Sequence, residues 1–337
     1  MINIGFIGTG GMGTYQSMAF NEVKSCRIVA GADLSDKARA RFKKSYPNTT
    51  TYANYHDLLR SDDVDGVVVA VPTGHHKSVA IDVLRAGKPV LCEKPMARTV
   101  AQCRQMIEAA KRYKGLLMIA HCRRYDPEWG AIAKVVQSGR LGSPILWRHV
   151  LACVGPRNWF MDDKLGGGPL IDGAVHTYDY ANYMFGKPDT VLSSSIKLNR
   201  KLTATDTGSA VVRYKSGNQL MISWSWAATS GGQQVFDLIG SRGGLSAGPG
   251  DLKTPKAEKG RYGYHTVHDL KGNRRLVKFR VHPRVGLMYI NQAKHFLACM
   301  QGKAKCETPG NVAIGGVAVA EAILKAGKTG SVRKVTW

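Results

Sequence analysis

Short apolar runs punctuate the first third of the chain, at 2–7, 27–32, 66–71, 89–92 and 116–120. Runs of this length, bounded by turn residues, suit strands covered on both faces. Between them lie segments that read as helices: 14–21, 35–45, 76–86 and 99–113. In the last of these, Val100, Cys103, Met106, Ile107 and Ala110 recur at helical spacing. Strand alternating with helix predicts a doubly wound parallel sheet. Past Pro127 the pattern changes. A helix is expected over 127–138, a strand over 143–151 and another helix over 169–184. Longer alternating runs follow at 189–198, 207–215, 218–226 and 234–240, with a hairpin signal at Ser216-Gly217-Asn218. They predict an open, mainly antiparallel sheet. Segment 241–284 is turn-rich and yields no assignment. Helices over 286–300 and 310–326 and a strand-like 331–335 close the chain. The fold class is therefore α/β, with a domain boundary near residue 120.

The first strand runs straight into Gly8-Thr9-Gly10-Gly11-Met12-Gly13, which opens the first helix. The second strand ends about twenty residues later at Asp33. Strand, glycine turn, helix, strand and acid form the dinucleotide fingerprint in its required context. Gly8 permits the tight turn, Gly10 lets backbone approach a pyrophosphate, and Gly13 lets the helix lie close on the sheet. The helix N-terminus offers its N–H groups to the phosphates. Asp33 favours NAD over NADP, because a carboxylate accepts from the ribose diol and repels a 2′-phosphate. Arg39 and Arg41 follow on the next helix, too far along it to reverse that preference. Residues 1–120 thus read as a Rossmann domain.

Three further clusters carry chemistry. Pro72-Thr73-Gly74-His75-His76 follows a strand and should touch the cofactor, since ligands sit at the carboxyl ends of strands. Glu93-Lys94-Pro95 ends the next strand, and a lysine there can relay a proton or bind a hydroxyl. Gly166-Gly167-Gly168-Pro169 opens a helix that carries Asp172 and His176, four apart and so on one face. A carboxylate beside an imidazole can orient a general base. No third ligand is spaced to make this pair a metal site.

Composition changes the picture in one respect. Lys and Arg number 48 against 24 Asp and Glu, a formal charge of +24. Most of the excess lies beyond residue 120, densest in 251–284 (Lys253, Lys256, Lys259, Arg261, Lys271, Arg274, Arg275, Lys278, Arg280, Arg284). Such a surface could steer an acidic substrate. No nucleic-acid-binding signature accompanies it, so a nucleic-acid partner is not expected. The seven cysteines include no C-x-x-C pair, and no apolar run reaches the length of a membrane span. No signal peptide is visible, and a cytoplasmic protein without a membrane partner is expected.

In this order the clusters resemble the glucose–fructose oxidoreductase/inositol dehydrogenase (Gfo/Idh/MocA) family along essentially the whole chain. The shared pattern is the glycine fingerprint, Pro72 with His76, Glu93-Lys94-Pro95, Arg123-Arg124-Tyr125-Asp126-Pro127, and the glycine-rich helix start with Asp172 and His176. Thr73 stands where Asn is usual. The resemblance implies a Rossmann domain over 1–120 and a substrate-binding, oligomerising α+β domain over 121–337. It implies a homodimer or homotetramer formed through the open sheet. It implies hydride transfer between NAD(P) and a secondary alcohol or ketone of a sugar or cyclitol. His176 would take the hydroxyl proton, Asp172 would orient His176 or hydrogen-bond a neighbouring hydroxyl, and Lys94 would bind the same oxygen. Gly8, Gly10, Gly11, Met12, Gly13, Asp33, Pro72, Thr73, His76, Glu93 and Lys94 would hold the cofactor. Arg124, Trp159 and Tyr178 are candidate sugar contacts. Two alternatives share these motifs: a glycosidase using transient NAD-dependent oxidation, and a non-catalytic nucleotide-dependent regulator.

Overall fold

The computed structural model describes residues 1–282 and 286–337, so Arg284 of the basic segment lies outside the described residues. The chain divides into two compact units, Met1–Tyr125 with Val285–Ile314 and Asp126–Arg284 with Gly315–Trp337. The first unit is therefore not one continuous stretch of chain.

In the first unit the elements run β1 (Ile2–Ile7), α1 (Gly11–Asn21), β2 (Cys26–Ala32), α2 (Asp36–Ser45), β3 (Thr50–Tyr52), α3 (Tyr55–Leu59), β4 (Gly66–Val69), α4 (His76–Arg85), β5 (Val90–Cys92), α5 (Val100–Arg112) and β6 (Leu117–Ile119). The six strands are parallel, in the order β3-β2-β1-β4-β5-β6. The order reverses between β1 and β4, which makes their carboxyl ends the switch point of the sheet. Caps fix the helix starts: Ser35 accepts from the Ala38 N–H and Thr99 from that of Gln102. The core joins Ile4, Phe6, Phe20, Val68, Leu91 and Met118 to Phe296 and Leu297 of a helix from much later in the chain.

The second unit contains α6 (Pro127–Gln137), β7 (Ile145–Val154), α7 (Val175–Phe185), β8 (Pro188–Ile196), β9 (Thr207–Tyr214), β10 (Gln219–Ser225), β11 (Ala227–Gly240), β12 (Gly243–Ala247), β13 (Tyr262–Asp269) and β14 (Arg274–Arg280). The late helix of the first unit is α8 (Leu287–Met300). After it come α9 (Gly310–Thr329) and β15 (Arg333–Lys334). One nine-stranded sheet orders its strands β14-β13-β12-β11-β7-β10-β9-β8-β15. Among the described strands of this sheet, β7 and β10 pair in parallel and the other neighbours antiparallel. The unassigned segment 241–284 thus supplies three strands. One face of the sheet is buried through Trp147, Val212, Leu220, Leu238 and Leu245. The other exposes Leu192, Ile196, Met221, Val235 and Ile239. Helix α9 is long and apolar enough to cross a membrane by length and composition, yet 67% of its apolar window is buried inside the molecule.

Candidate active site

The glycine turn is shaped by what a side chain would strike. Gly8 has φ +88°, and a Cβ there would lie 2.5 Å from the Ala70 carbonyl oxygen. At Gly13 a Cβ would lie 1.9 Å from the Gly8 oxygen, so α1 can approach the turn only without one. Gly10 and Gly11 differ. Nothing lies within 4 Å of a Cβ built on either, so open space stands over the backbone where α1 begins. No side chain caps that end of the helix. An open glycine cradle at a helix N-terminus, beside the sheet's switch point, fits a dinucleotide pyrophosphate.

Asp33 ends β2 at the edge of this cradle. Its Oδ2 accepts from the Thr9 N–H at 2.8 Å, and its Oδ1 from the Ser35 N–H at 2.9 Å. Both arginines of α2, expected to lie too far along the helix to reverse the preference for NAD, also come to this edge. Arg39 donates to the Asp33 carbonyl at 2.6 Å, and Arg41 to the Thr9 carbonyl at 3.1 Å. Arg39 lies about one helical turn past Ser35 and Arg41 just under two, and both long side chains fold back to this edge.

The turn after β4, expected to touch the cofactor, turns two of its side chains inward. Thr73 and His76 are buried, at 1% exposure each. The His76 ring sits between two main-chain carbonyls, Nδ1 at 2.7 Å from Pro95 O and Nε2 at 2.8 Å from Val71 O. It ties the turn after β4 to the turn after β5, and neither nitrogen faces open space.

The turn after β5 presents Lys94, half-buried, with Glu93 buried behind it. The Lys94 N–H donates to Glu93 Oε2 at 3.2 Å, and Gln16 Nε2 donates to Glu93 Oε1 at 2.6 Å. Gln16, on α1, carries no motif, and periodicity alone marks it only as a polar residue on a helix. Arg124 follows in the turn Cys122–Tyr125, half-buried.

In the second unit the expected continuous helix over 169–184 is interrupted. Pro169–Gly173 forms a wider π-type turn closed by the Ala174 N–H to the Pro169 carbonyl at 2.8 Å, and α7 starts only at Val175. Two indoles pack against this turn and require a glycine in it: a Cβ on Gly173 would lie 2.7 Å from Trp224 Nε1 and 2.8 Å from Trp226 Cζ2. Asp172, 4% exposed, lies in the π turn, and His176, half-buried, lies in the first turn of α7. The pair therefore does not share one regular α-helix, although the two remain adjacent turns apart. Turns of this kind recur at functional sites. Gly168 opens the turn at φ +76°, where a Cβ would lie 2.4 Å from the Thr205 carbonyl oxygen. Trp159 is half-buried and stacks on Phe160 with ring centroids 3.8 Å apart. Tyr178 is fully buried, and burial pushes its phenol far above the usual range. Its ring belongs to the core of the unit, which removes the exposed surface a sugar contact would need.

Residues 2–121 match the oxidoreductase family with an NAD-binding Rossmann fold, and residues 129–246 match the Gfo/Idh/MocA C-terminal domain. The chain belongs to the Gfo/Idh/MocA family. It is thus an oxidoreductase of a family whose first domain binds NAD. It is 30% identical to an inositol 2-dehydrogenase of Rubrobacter xylanophilus, over 74% of this chain and 72% of that one. Similarity to an inositol 2-dehydrogenase of Rhizobium meliloti is 26% over 96% of both chains. The fold matches levoglucosan dehydrogenase, solved with NADH and levoglucosan, at a TM-score of 0.84 and 19% identity over all of both chains. Among the described residues no group of three or more His, Cys, Asp or Glu side chains is arranged to hold a metal ion.

Proposed function

We propose that this Gfo/Idh/MocA oxidoreductase oxidises a secondary alcohol of a cyclitol or sugar, or reduces the matching ketone, with NAD preferred over NADP. The observation that carries the reading is the setting of Lys94. A lysine whose main-chain N–H donates to Glu93 stands at the end of β5, in the same unit as an open glycine cradle at the sheet's switch point. The names of the relatives support the substrate class, since two of them are inositol 2-dehydrogenases.

Gly10, Gly11 and the N-terminus of α1 would hold the pyrophosphate, and Asp33 the ribose of the adenosine half. Bound NAD supplies the hydride acceptor. The residues of the chain handle the proton and the oxygen. His176 takes the proton of the reacting hydroxyl as general base. Asp172 orients His176 or holds a neighbouring hydroxyl. Lys94 donates to the reacting oxygen and stabilises its developing negative charge. Arg124 and Trp159 are proposed to contact the remaining hydroxyls. The glycosidase and regulator alternatives draw no support from relatives named as dehydrogenases. The sheet face that exposes Leu192, Met221 and Val235 is proposed to pair with further copies of the chain.

The test is a screen of cyclitols, sugars and sugar acids that follows NADH absorbance and product release together, with myo-inositol as first probe. Stoichiometric NADH with ketone product is expected. Product without net NADH would replace this reading with the glycosidase. With the best substrate, Lys94→Ala and His176→Ala should each lower kcat by at least ~100-fold, the scale of a lost acid–base group. Near-native turnover in His176→Ala would remove it as the base.

A further inference from the structure

We propose that Gln16 and Gln292, two buried glutamines outside every recognised motif, are positioning residues that hold Glu93 and through it set Lys94. The proposal rests on the assignment of Lys94 to the reacting oxygen. Both glutamines are fully buried, Gln16 on α1 and Gln292 on α8. The neighbours of Gln292 along α8 are the core residues Ile290, Ala293 and Phe296. Three bonds run in line within the first unit. Gln292 Nε2 donates to Gln16 Oε1 at 3.4 Å, Gln16 Nε2 donates to Glu93 Oε1 at 2.6 Å, and the Lys94 N–H donates to Glu93 Oε2 at 3.2 Å.

This arrangement is a poor way to stabilise a core. The 3.4 Å bond is long, and Gln292 Oε1 is buried with no hydrogen-bond partner. An apolar side chain of similar volume would fill the site on α8 without leaving a polar atom unsatisfied. What the glutamines do supply is direction. One Glu93 oxygen accepts from Gln16 on α1 and the other from the main chain of Lys94, so Gln16 helps set the plane in which Oε2 meets the Lys94 N–H. On the far side of Lys94, His76 holds the Pro95 carbonyl at 2.7 Å. The main chain that carries the lysine is therefore bracketed on both sides, and Gln16 supports the bracket on the Glu93 side.

Charged and titratable groups face Glu93 from three elements. Cys92 ends β5 and Lys94 follows it, Cys122 and Arg123 come from the turn Cys122–Tyr125, and Tyr289 comes from α8. The Glu93 charge helps burial push the thiols of Cys92 and Cys122 and the phenol of Tyr289 upward, and Arg123 opposes it at Cys122 and Tyr289. An N–H donated to a carboxylate favours its ionised form, so loss of Gln16 raises the Glu93 pKa. The acid limb of the kcat profile should then move to higher pH.

Three variants, Gln16→Met, Gln292→Leu and Lys94→Ala, are compared with the native enzyme using NAD and myo-inositol. Gln16→Met should lower kcat by about 10- to 100-fold, the scale of a small misplacement of a reacting group, and shift the acid limb upward. The Kd for NAD, read by fluorescence, should change by less than about threefold, since the cradle at Gly10 is untouched. Gln292→Leu should hold or raise Tm while lowering kcat more mildly, a combination that a purely structural role does not produce. Native kcat and pH profile in Gln16→Met, with Lys94→Ala inactive, would overturn the inference and leave the role of Lys94 standing. Native turnover in Lys94→Ala would instead remove the assignment of Lys94 beneath it. If Gln16→Met does not fold, Gln292→Leu decides: a native kcat there rejects the proposal.

Discussion

At the scale of single residues, the proposed preference for NAD turns on one carboxylate and two guanidinium groups. An Asp33 carboxylate would repel a 2′-phosphate, but Arg39 and Arg41 reach the same edge of the glycine turn, at the Asp33 and Thr9 carbonyls. NAD should bind more tightly than NADP in the native protein. Asp33→Ala removes the repulsion and leaves both cations, so affinity for NADP should rise on the order of tenfold, about 1.4 kcal/mol. Titration of both cofactors into both proteins measures this, and a native preference for NADP would reverse the assignment. Asp33 was legible in the sequence because the fingerprint fixes its place by spacing. The arginines were not, because spacing along a helix says nothing of how far a long side chain folds back. The same limit applies to His76, whose motif suggested a ligand and whose ring bridges two carbonyls. Gln16 and Gln292 left no signal at all, since two polar residues far apart in sequence become a pair only when α1 packs on α8.

At the scale of elements, the two kinds of glycine in the turn should separate experimentally. Gly13→Ala forces a Cβ to within 1.9 Å of the Gly8 oxygen, so α1 must move off the sheet. A loss of about 1–3 kcal/mol in stability is expected, the usual cost of overpacking. Gly10→Ala meets no protein atom within 4 Å, and its φ of −67° suits any residue. Its stability should fall by no more than about 1 kcal/mol, the scale of a changed helix cap, yet NAD should bind at least about tenfold more weakly. Calorimetric unfolding and NAD titration give both numbers. Gly10→Ala that binds NAD like the native protein would show that the space above the turn is not the pyrophosphate site. Most elements were legible because their apolar periodicity was clean, as in α5 and in β9 and β10. Two kinds of element were not. Strand β3 is three residues long, too short for a period, while β12 and β13 carry glycines and β14 opens on two arginines, which blurs alternation. At the break between Asp172 and His176, Gly173 lies against Trp224 and Trp226, far along the chain, and no local pattern announces that contact.

At the scale of the whole molecule, two forces act on self-association in opposite directions. A formal charge of +24 repels a second copy at low salt. The open face of the nine-stranded sheet attracts one, because Leu192, Ile196, Met221, Val235 and Ile239 are exposed on it, between 41% and 53% each. Cross-strand register groups them: Leu192 lies opposite Val211, and Val211 opposite Met221. Beside Met221, Arg148 pairs with Asp237 through two bonds of 2.8 and 2.5 Å. That pair brings no net charge to a closing interface. Apolar contact should therefore win, because a standard interface of roughly 1,600 Å² buries far more apolar surface than screened surface charge can offset. The native protein is expected to sediment as a dimer or tetramer at micromolar concentration. Raising salt from 0.1 to 1 M shortens the Debye length from about 10 to about 3 Å, so the assembly should tighten. Met221→Lys with Val235→Lys places two charges on the face and should yield a folded monomer with unchanged NAD affinity, since neither residue lies in the first unit. Sedimentation equilibrium across the salt series, with NAD titration on the same samples, measures both quantities. A native monomer at every salt concentration, or a double variant that still assembles, would move the interface off this sheet.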